Sequence, residues 1–166
     1  MNLTDARQAA TEIITAISPY CAPGRCQIAG SVRRGIGEPN DIEIVAIPIL
    51  NDFEKLDALR TIVNNRWGVP KKGPFPSRYT MVRGTYNIDF FWADKRTYGM
   101  TMFVRTGSQQ FCIDALSHWK KLTKGGYSES AILHLADGTI VPTETEEAVF
   151  EALQCKFIPP EKRNRP

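Results

Sequence analysis

The run Gln27-Ile28-Ala29-Gly30-Ser31-Val32-Arg33-Arg34-Gly35 is followed, after a short polar loop, by Asp41-Ile42-Glu43-Ile44-Val45-Ala46-Ile47-Pro48. Its second half alternates acidic and apolar residues and then turns wholly apolar, which predicts a strand with one wet end and one buried end. Residues two apart on a strand share a face, so Asp41 and Glu43 lie on one side, with Ile42 and Ile44 on the other. Two carboxylates held roughly 7 Å apart along a rigid strand repel each other and gain nothing from an apolar core. A divalent cation is the usual reason for such a pair.

Toward the N-terminus, Leu3, Ala6, Ala10, Ile13, Ile14 and Ile17 recur at helical spacing, with Asn2 as a cap and Pro19 past the end. Pro23-Gly24 predicts a turn into a short strand at Gln27–Ala29. Beyond the acidic strand, Asn51 and Glu54 form a capping box for a helix whose stripe is Phe53, Leu56, Leu59, Val63 and Trp67. Lys71 and Lys72 stand in a Pro- and Gly-rich stretch that reads as an exposed basic loop. Arg78 to Val82 and Tyr86 to Trp92 then read as two strands, the second carrying Asp89 inside an apolar run. A lone acid there is costly unless it meets a cation or good hydrogen bonds.

Further on, Met100 to Val104 reads as a short apolar strand and Thr106-Gly107-Ser108 as a turn. Phe111, Ala115, Trp119 and Leu122 make a helical stripe that Gly125-Gly126 stops. Ile132–Leu135 and Thr139–Val141, joined at Asp137-Gly138, predict a hairpin. Thr143-Glu144-Thr145-Glu146 has the form of a capping box for a last helix, followed by a polar, basic tail through Arg163.

A chain of 166 residues, 42% hydrophobic and 23% charged, can build one sizeable domain or a domain with a small lobe. The net charge of +3 mildly favours polyanions and is too small to establish nucleic-acid binding alone. No apolar run is long enough to cross a membrane and the start lacks a leader pattern, so a cytosolic protein is expected. The four cysteines, Cys21, Cys26, Cys112 and Cys155, lack metal-knuckle spacing and are expected to be reduced thiols.

Asp41, Glu43 and Asp89, from two strands, could converge on two hard cations such as Mg²⁺, which takes oxygen ligands and often substrate phosphates. Two such ions about 3.5–4 Å apart stabilise the attacking and leaving oxygens of an in-line displacement. Gly30 lets backbone N–H groups and the Ser31 hydroxyl approach a phosphate, and the guanidinium groups of Arg33 and Arg34 can grip its oxygens. The ordered combination points to metal-dependent phosphoryl chemistry.

Gly30-Ser31 followed by Asp41-x-Glu43 resembles the signature of the polymerase-beta-type nucleotidyltransferases, and the fuller Gly30-Ser31-Val32-Arg33-Arg34-Gly35 is similar to the DNA polymerase X branch. Ile88-Asp89-Phe90-Phe91 resembles the family's third-acid strand. Thr106-Gly107-Ser108 with Phe111 is similar to its Thr-Gly-Ser turn and following helix, and Val141 through Arg163 to its C-terminus. The resemblance implies an α+β fold: a nucleotidyltransferase palm over residues 1–105, a mixed sheet with helices on one face, and a small α/β C-terminal lobe over 106–166. By the same resemblance Asp41 and Glu43 bind both Mg²⁺ ions (Mn²⁺ as a substitute), while Asp89 binds the catalytic ion and helps deprotonate the primer 3′-hydroxyl. Ser31 and Arg34 hold the triphosphate with support from Arg33 and Gly30, and Arg105, Gly107, Ser108 and Cys112 line the nucleotide.

The family usually has Asp where this chain has Glu43, two aromatics where it has Val104 and Arg105, and polar side chains where it has Cys112 and Leu116. The lyase and helix-hairpin-helix modules of longer members have no counterpart, so the expectation is a minimal form similar to the small viral members. The implied activity is template-directed, repair-type DNA synthesis by a cytosolic monomer, with nucleoside triphosphates and DNA primer/template as partners and RNA not excluded. Two alternatives stand beside it: a template-independent or ribonucleotide-adding terminal transferase, and a non-catalytic nucleic-acid-binding module.

Overall fold

The structure, a computed structural model, describes residues 1–68, 70 and 79–164. Helices and strands form an α+β fold in two compact units, Met1–Asp94 and Lys95–Pro166. The division thus falls between Asp94 and Lys95, where the sequence pattern suggested 105/106.

In the first unit, Asn2 caps α1 (Leu3–Ile17), its side chain accepting from the Asp5 amide at 2.8 Å. Ala6, Ala9, Ala10, Ile13 and Ile17 are its buried stripe, close to the expected one. The strand expected at Gln27 starts earlier: β1 spans Cys21–Ile28, and Pro23-Gly24 lies inside it. The reason is an irregular pairing with β2 (Ile42–Pro48), in which Cys21 opposes Pro48 but Cys26 already opposes Ala46. The surplus residues bulge outward, with Gly24 at φ +70°.

A four-residue helix, α2 (Gly30–Arg33), links β1 to the loop before β2. α3 (Phe53–Trp67) is capped by Asp52, whose carboxylate accepts from the Lys55 amide at 3.0 Å, and not by Asn51. Leu59 and Val63 are buried as expected, but Phe53 is 80% exposed. At 3.6 residues per turn, Phe53 stands about 120° around the helix from Leu59, off the buried stripe. The Lys71–Lys72 loop lies outside the described residues.

β3 (Tyr79–Arg83) and β4 (Asn87–Trp92) complete a four-stranded sheet of order β1-β2-β4-β3. It is mixed: β2 and β4 run parallel, and the outer pairs are antiparallel. Ile42, Ile44, Ala46, Ile88, Phe90 and Trp92 form one core with the apolar stripes of α1 and α3, so both helices cover the same face. Phe90 and Trp92 stack with centroids 5.2 Å apart, and the buried Trp92 indole donates to Thr80 Oγ1 at 2.9 Å.

In the second unit, residues 100–104 are helical and not the expected strand: α4 spans Tyr98–Thr106. An apolar run this short fits either period. Helical spacing wins because Gly99, Met102, Phe103 and Thr106 then make one buried stripe. Gly99 is needed for close approach, since a Cβ there would come within 2.2 Å of the Thr143 and Thr145 carbonyl oxygens.

α5 (Gln109–Leu122) follows, then a three-stranded antiparallel sheet of β5 (Tyr127–Glu129), β6 (Ile132–His134) and β7 (Ile140–Val141). α6 (Glu146–Ala152) is capped by Thr145, whose hydroxyl accepts from the Ala148 amide at 3.2 Å. Thr143, the expected cap, is buried and uses its carbonyl on the Gly99 amide. Glu146 therefore does not close a capping box; it is buried and pairs with Arg163. Arg163 is fully enclosed and not part of a solvated tail.

Candidate active-site residues

The parallel register of β2 and β4 sets Glu43 directly opposite Asp89. Ile42 and Ile44 point into the core, which leaves Asp41 and Glu43 on the other side as the alternation requires. Asp89 is 9% exposed, and its Oδ1 accepts from Arg83 Nη1 at 2.8 Å. Arg83 also donates to the Val82 carbonyl at 3.2 Å. Burial pushes the Asp41 carboxyl above the ordinary range, and the Asp89 charge pushes it further, while Arg83 and the Asp41 amide pull it down. Asp41, Asp89 and Arg83 thus form one electrostatic group.

Gly30 sits where the chain leaves β1, with φ +64°. A Cβ at this position would lie 1.8 Å from Glu43 Oε2, so only glycine lets that carboxylate rest over the backbone. The Ala29 amide also donates to the Glu43 carbonyl at 2.8 Å, tying the start of α2 to β2. The Arg34 amide reaches the Gly30 carbonyl at 3.1 Å and the Ile36 amide reaches the Ser31 carbonyl at 3.0 Å. These bonds wind Gly30, Ser31, Arg33 and Arg34 into one tight turn beside Glu43.

The second unit carries the other four candidates. Gly107 ends α4, its amide donating to the Phe103 carbonyl at 3.0 Å. Ser108 caps α5 by accepting from the Phe111 amide at 3.3 Å, and its own amide donates to the Arg163 carbonyl at 3.2 Å. Cys112 is half-buried, with its Sγ donating to the Val104 carbonyl at 3.5 Å. A Cβ on Gly107 would come within 2.7 Å of that sulfur. Gly107, Ser108 and Cys112 are therefore packed together, and Arg105 stands on the exposed side of α4.

Three basic residues escaped the sequence reading. Arg83, just past the expected strand end at Val82, lies in β3, which pairs with β4 so that Met81 opposes Asp89 and Arg83 opposes Asn87. Arg83 is the diagonal neighbour of Asp89, a signal available from the hairpin spacing. Arg7 on α1 brings its guanidinium to Gly35, 3.5 Å from where a Cβ would stand, next to the Arg33-Arg34 turn. Arg163 falls in the stretch that resembles the family's C-terminus, but no local pattern marked it as buried. Its Nε donates to the Ile158 carbonyl at 2.7 Å, and its guanidinium lies over the Phe150, Phe157 and Phe111 rings.

Asp41, Glu43 and Asp89 offer only carboxylate oxygens, the donors that hard divalent ions take, and the effect of the Asp89 charge on Asp41 fits a cation shared between them. Among the described residues, no group of three or more His, Cys, Asp or Glu is gathered as a ligand set. The Arg83 guanidinium donates to one oxygen of Asp89, so part of that charge is relieved within the chain.

Among the described residues, no helix is long and apolar enough to cross a membrane. No curated protein matches the chain. Residues 101–164, from within α4 to one residue beyond Arg163, match the DNA polymerase beta thumb family, which supports a relationship to the polymerase-beta-like proteins of the X family.

Proposed function

We propose that this chain is a small DNA polymerase of the X-family type, with a nucleotidyltransferase palm in the first unit and a thumb in the second. The observation that carries the reading is the pairing of Glu43 with Asp89 on parallel strands, with Asp41 in the same electrostatic group and the Gly30-Ser31 turn alongside. The match of residues 101–164 to a polymerase thumb supports it from the other end of the chain.

Asp41, Glu43 and Asp89 would hold two Mg²⁺ ions, which when bound stabilise the attacking and leaving oxygens of an in-line displacement. The residues' own contributions are separate. Asp89, the most buried of the three, accepts the proton of the primer 3′-hydroxyl on a carboxylate oxygen. Ser31 and the backbone N–H groups of its turn meet triphosphate oxygens, while Arg34, supported by Arg33, offsets their charge. Arg105, Gly107, Ser108 and Cys112 are assigned to sugar and base by the resemblance. Arg83 holds one Asp89 oxygen and would compete for it with an ion bound there.

The test is a primer-extension matrix: templated and blunt ends, DNA and RNA primers, and deoxy- and ribonucleotides, with Asp41→Ala and Asp89→Ala controls. Extension that follows the template base, and is lost in both variants, is expected. Equal incorporation of all four nucleotides whatever the template would favour the terminal-transferase alternative. Activity unchanged in Asp89→Ala would remove the third acid from the mechanism.

A further inference from the structure

The first unit holds a second pair of reactive groups, on the strand that leads into Gly30. Cys21 and Cys26 are five residues apart in sequence, but the β1 bulge places them opposite Pro48 and Ala46, only two residues apart on β2. Positions 46 and 48 share a face of the sheet, so the residues opposite them share it too. Both thiols pack against the same core, Cys21 within it and Cys26 at its margin.

The register sets the two Cα atoms roughly 6.5 Å apart, two strand steps. That lies within the roughly 4.4–6.8 Å that a disulfide spans. Both are free thiols in the structure. They also sense each other: a hydrogen bond from Cys26 favours the thiolate of Cys21 against the opposing effect of burial. The same bond, then burial, then the Cys21 charge hold the proton on Cys26.

Access to the pair differs at its two ends. Cys21 is 3% exposed, whereas Cys26 is half-buried. β1 is an edge of its sheet among the described residues, and Pro23 and Gly24 of the bulge face solvent. A small oxidant can therefore reach Cys26 from the edge while Cys21 stays covered.

We propose that Cys21 and Cys26 are a redox-active dithiol that closes to an intramolecular disulfide with a low-molecular-weight disulfide as oxidant and reopens in excess thiol. With glutathione disulfide, the Cys26 sulfur, which the oxidant can reach, attacks one sulfur as its proton leaves to solvent, and a glutathione thiolate is expelled. Cys21 then attacks the Cys26 sulfur of the mixed disulfide and expels the second. The two protein thiol protons end on the two glutathione thiolates. Two cysteine thiols are oxidised, one glutathione disulfide is reduced, and the inference stands independently of the polymerase reading.

The sequence makes the test direct, because Arg25 lies between the two cysteines. Trypsin separates residues 8–25 from residues 26–33, so only a Cys21–Cys26 disulfide joins these peptides. The full-length native protein is equilibrated with glutathione disulfide, its remaining thiols are alkylated, and the digest is weighed. A joined pair, lighter by two hydrogens than the sum of the reduced peptides and lost on adding dithiothreitol, is expected. The oxidised protein should also melt higher, by about 5 °C, because the link restrains the unfolded chain. In Cys21→Ser the glutathione adduct on Cys26 should persist, since nothing resolves it. A stable adduct on wild-type Cys26, or alkylation of both cysteines at every glutathione ratio, would overturn the proposal.

Discussion

Arg83–Asp89 in the first unit and Arg163–Glu146 in the second join the same chemical groups at 2.8 Å and 2.6 Å. Their surroundings differ. The Arg163 and Glu146 side chains are 0% and 5% exposed, and the guanidinium also lies over three phenylalanine rings and donates to the Ile158 carbonyl. The Arg83 and Asp89 side chains are 28% and 13% exposed, and Asp41 leaves the group one negative charge in excess. A charge pair sealed by aromatic rings cannot exchange its partner, because either half alone would be stranded away from water. A pair at a half-open edge, beside a surplus carboxylate, can trade its cation for another. The first arrangement fixes a fold; the second suits a site.

The contrast can be broken most sharply at Arg163. Arg163→Ala leaves Glu146 buried without its cation and should destabilise the protein by about 3–5 kcal/mol, read from denaturant unfolding. A loss below about 1 kcal/mol would mean that the rings and Ile158 carry the packing without the charge. Next comes the cation exchange itself. At ten times its dissociation constant, Mg²⁺ should stabilise the wild type by about 1.4 kcal/mol. Asp89→Asn should reduce that gain, as read by thermal melting with and without metal. An equal gain in both would place the bound ion elsewhere.

Arg83→Met should have a smaller effect on the metal-free protein, about 1 kcal/mol or less, because the pair is partly open to solvent. It should also tighten Mn²⁺ binding, measured by titration calorimetry, by freeing an Asp89 oxygen. Unchanged affinity would show that Arg83 does not compete for that oxygen.

The smallest effect is a pH dependence centred on Asp41. Its carboxyl is raised above the ordinary 3.8 by burial first and by Asp89 second. A carboxyl raised on folding contributes stability that is fully present below its unfolded value and is lost as pH rises through its folded value. Asp41→Asn stays neutral throughout. Without metal, the variant should therefore melt slightly above wild type at pH 7, by less than about 1 kcal/mol after solvent screening. The two curves should converge below about pH 4. A wild type that melts higher at pH 7 would show that Arg83 outweighs burial and Asp89.

Local chemistry was legible where it acts over a few residues. Asn2 caps α1 as its type suggests, and the Ile42-Glu43-Ile44 alternation sorted buried from outward side chains correctly. Reading failed where two local choices were nearly equal. Thr143 and Thr145 can both cap α6, and the choice went to Thr145 because the Thr143 carbonyl receives the Gly99 amide. Met100–Val104 fits a strand as well as a helix until its partners Phe111 and Phe150 are known. Of the candidate residues, the sequence singled out the acids, the Gly30 turn and its arginines. The hairpin spacing could have shown Arg83 beside Asp89, but nothing in the sequence hinted that Cys112 would be tied to the Val104 carbonyl.

What the sequence determined alone is the order of chemistries along the chain: a glycine-serine turn, two arginines, an acidic strand and a later lone acid. Periodicity and residue type encode such features within a few positions of one another. Only the tertiary structure decided that β2 and β4 lie parallel with Glu43 against Asp89, that Arg83 answers the surplus charge, and that Arg163 is sealed among rings. Those outcomes join residues separated by as many as 52 positions, from Phe111 to Arg163, and depend on which surfaces can be buried together. Strand register and burial are properties of the whole packed unit, so no short window of sequence contains them.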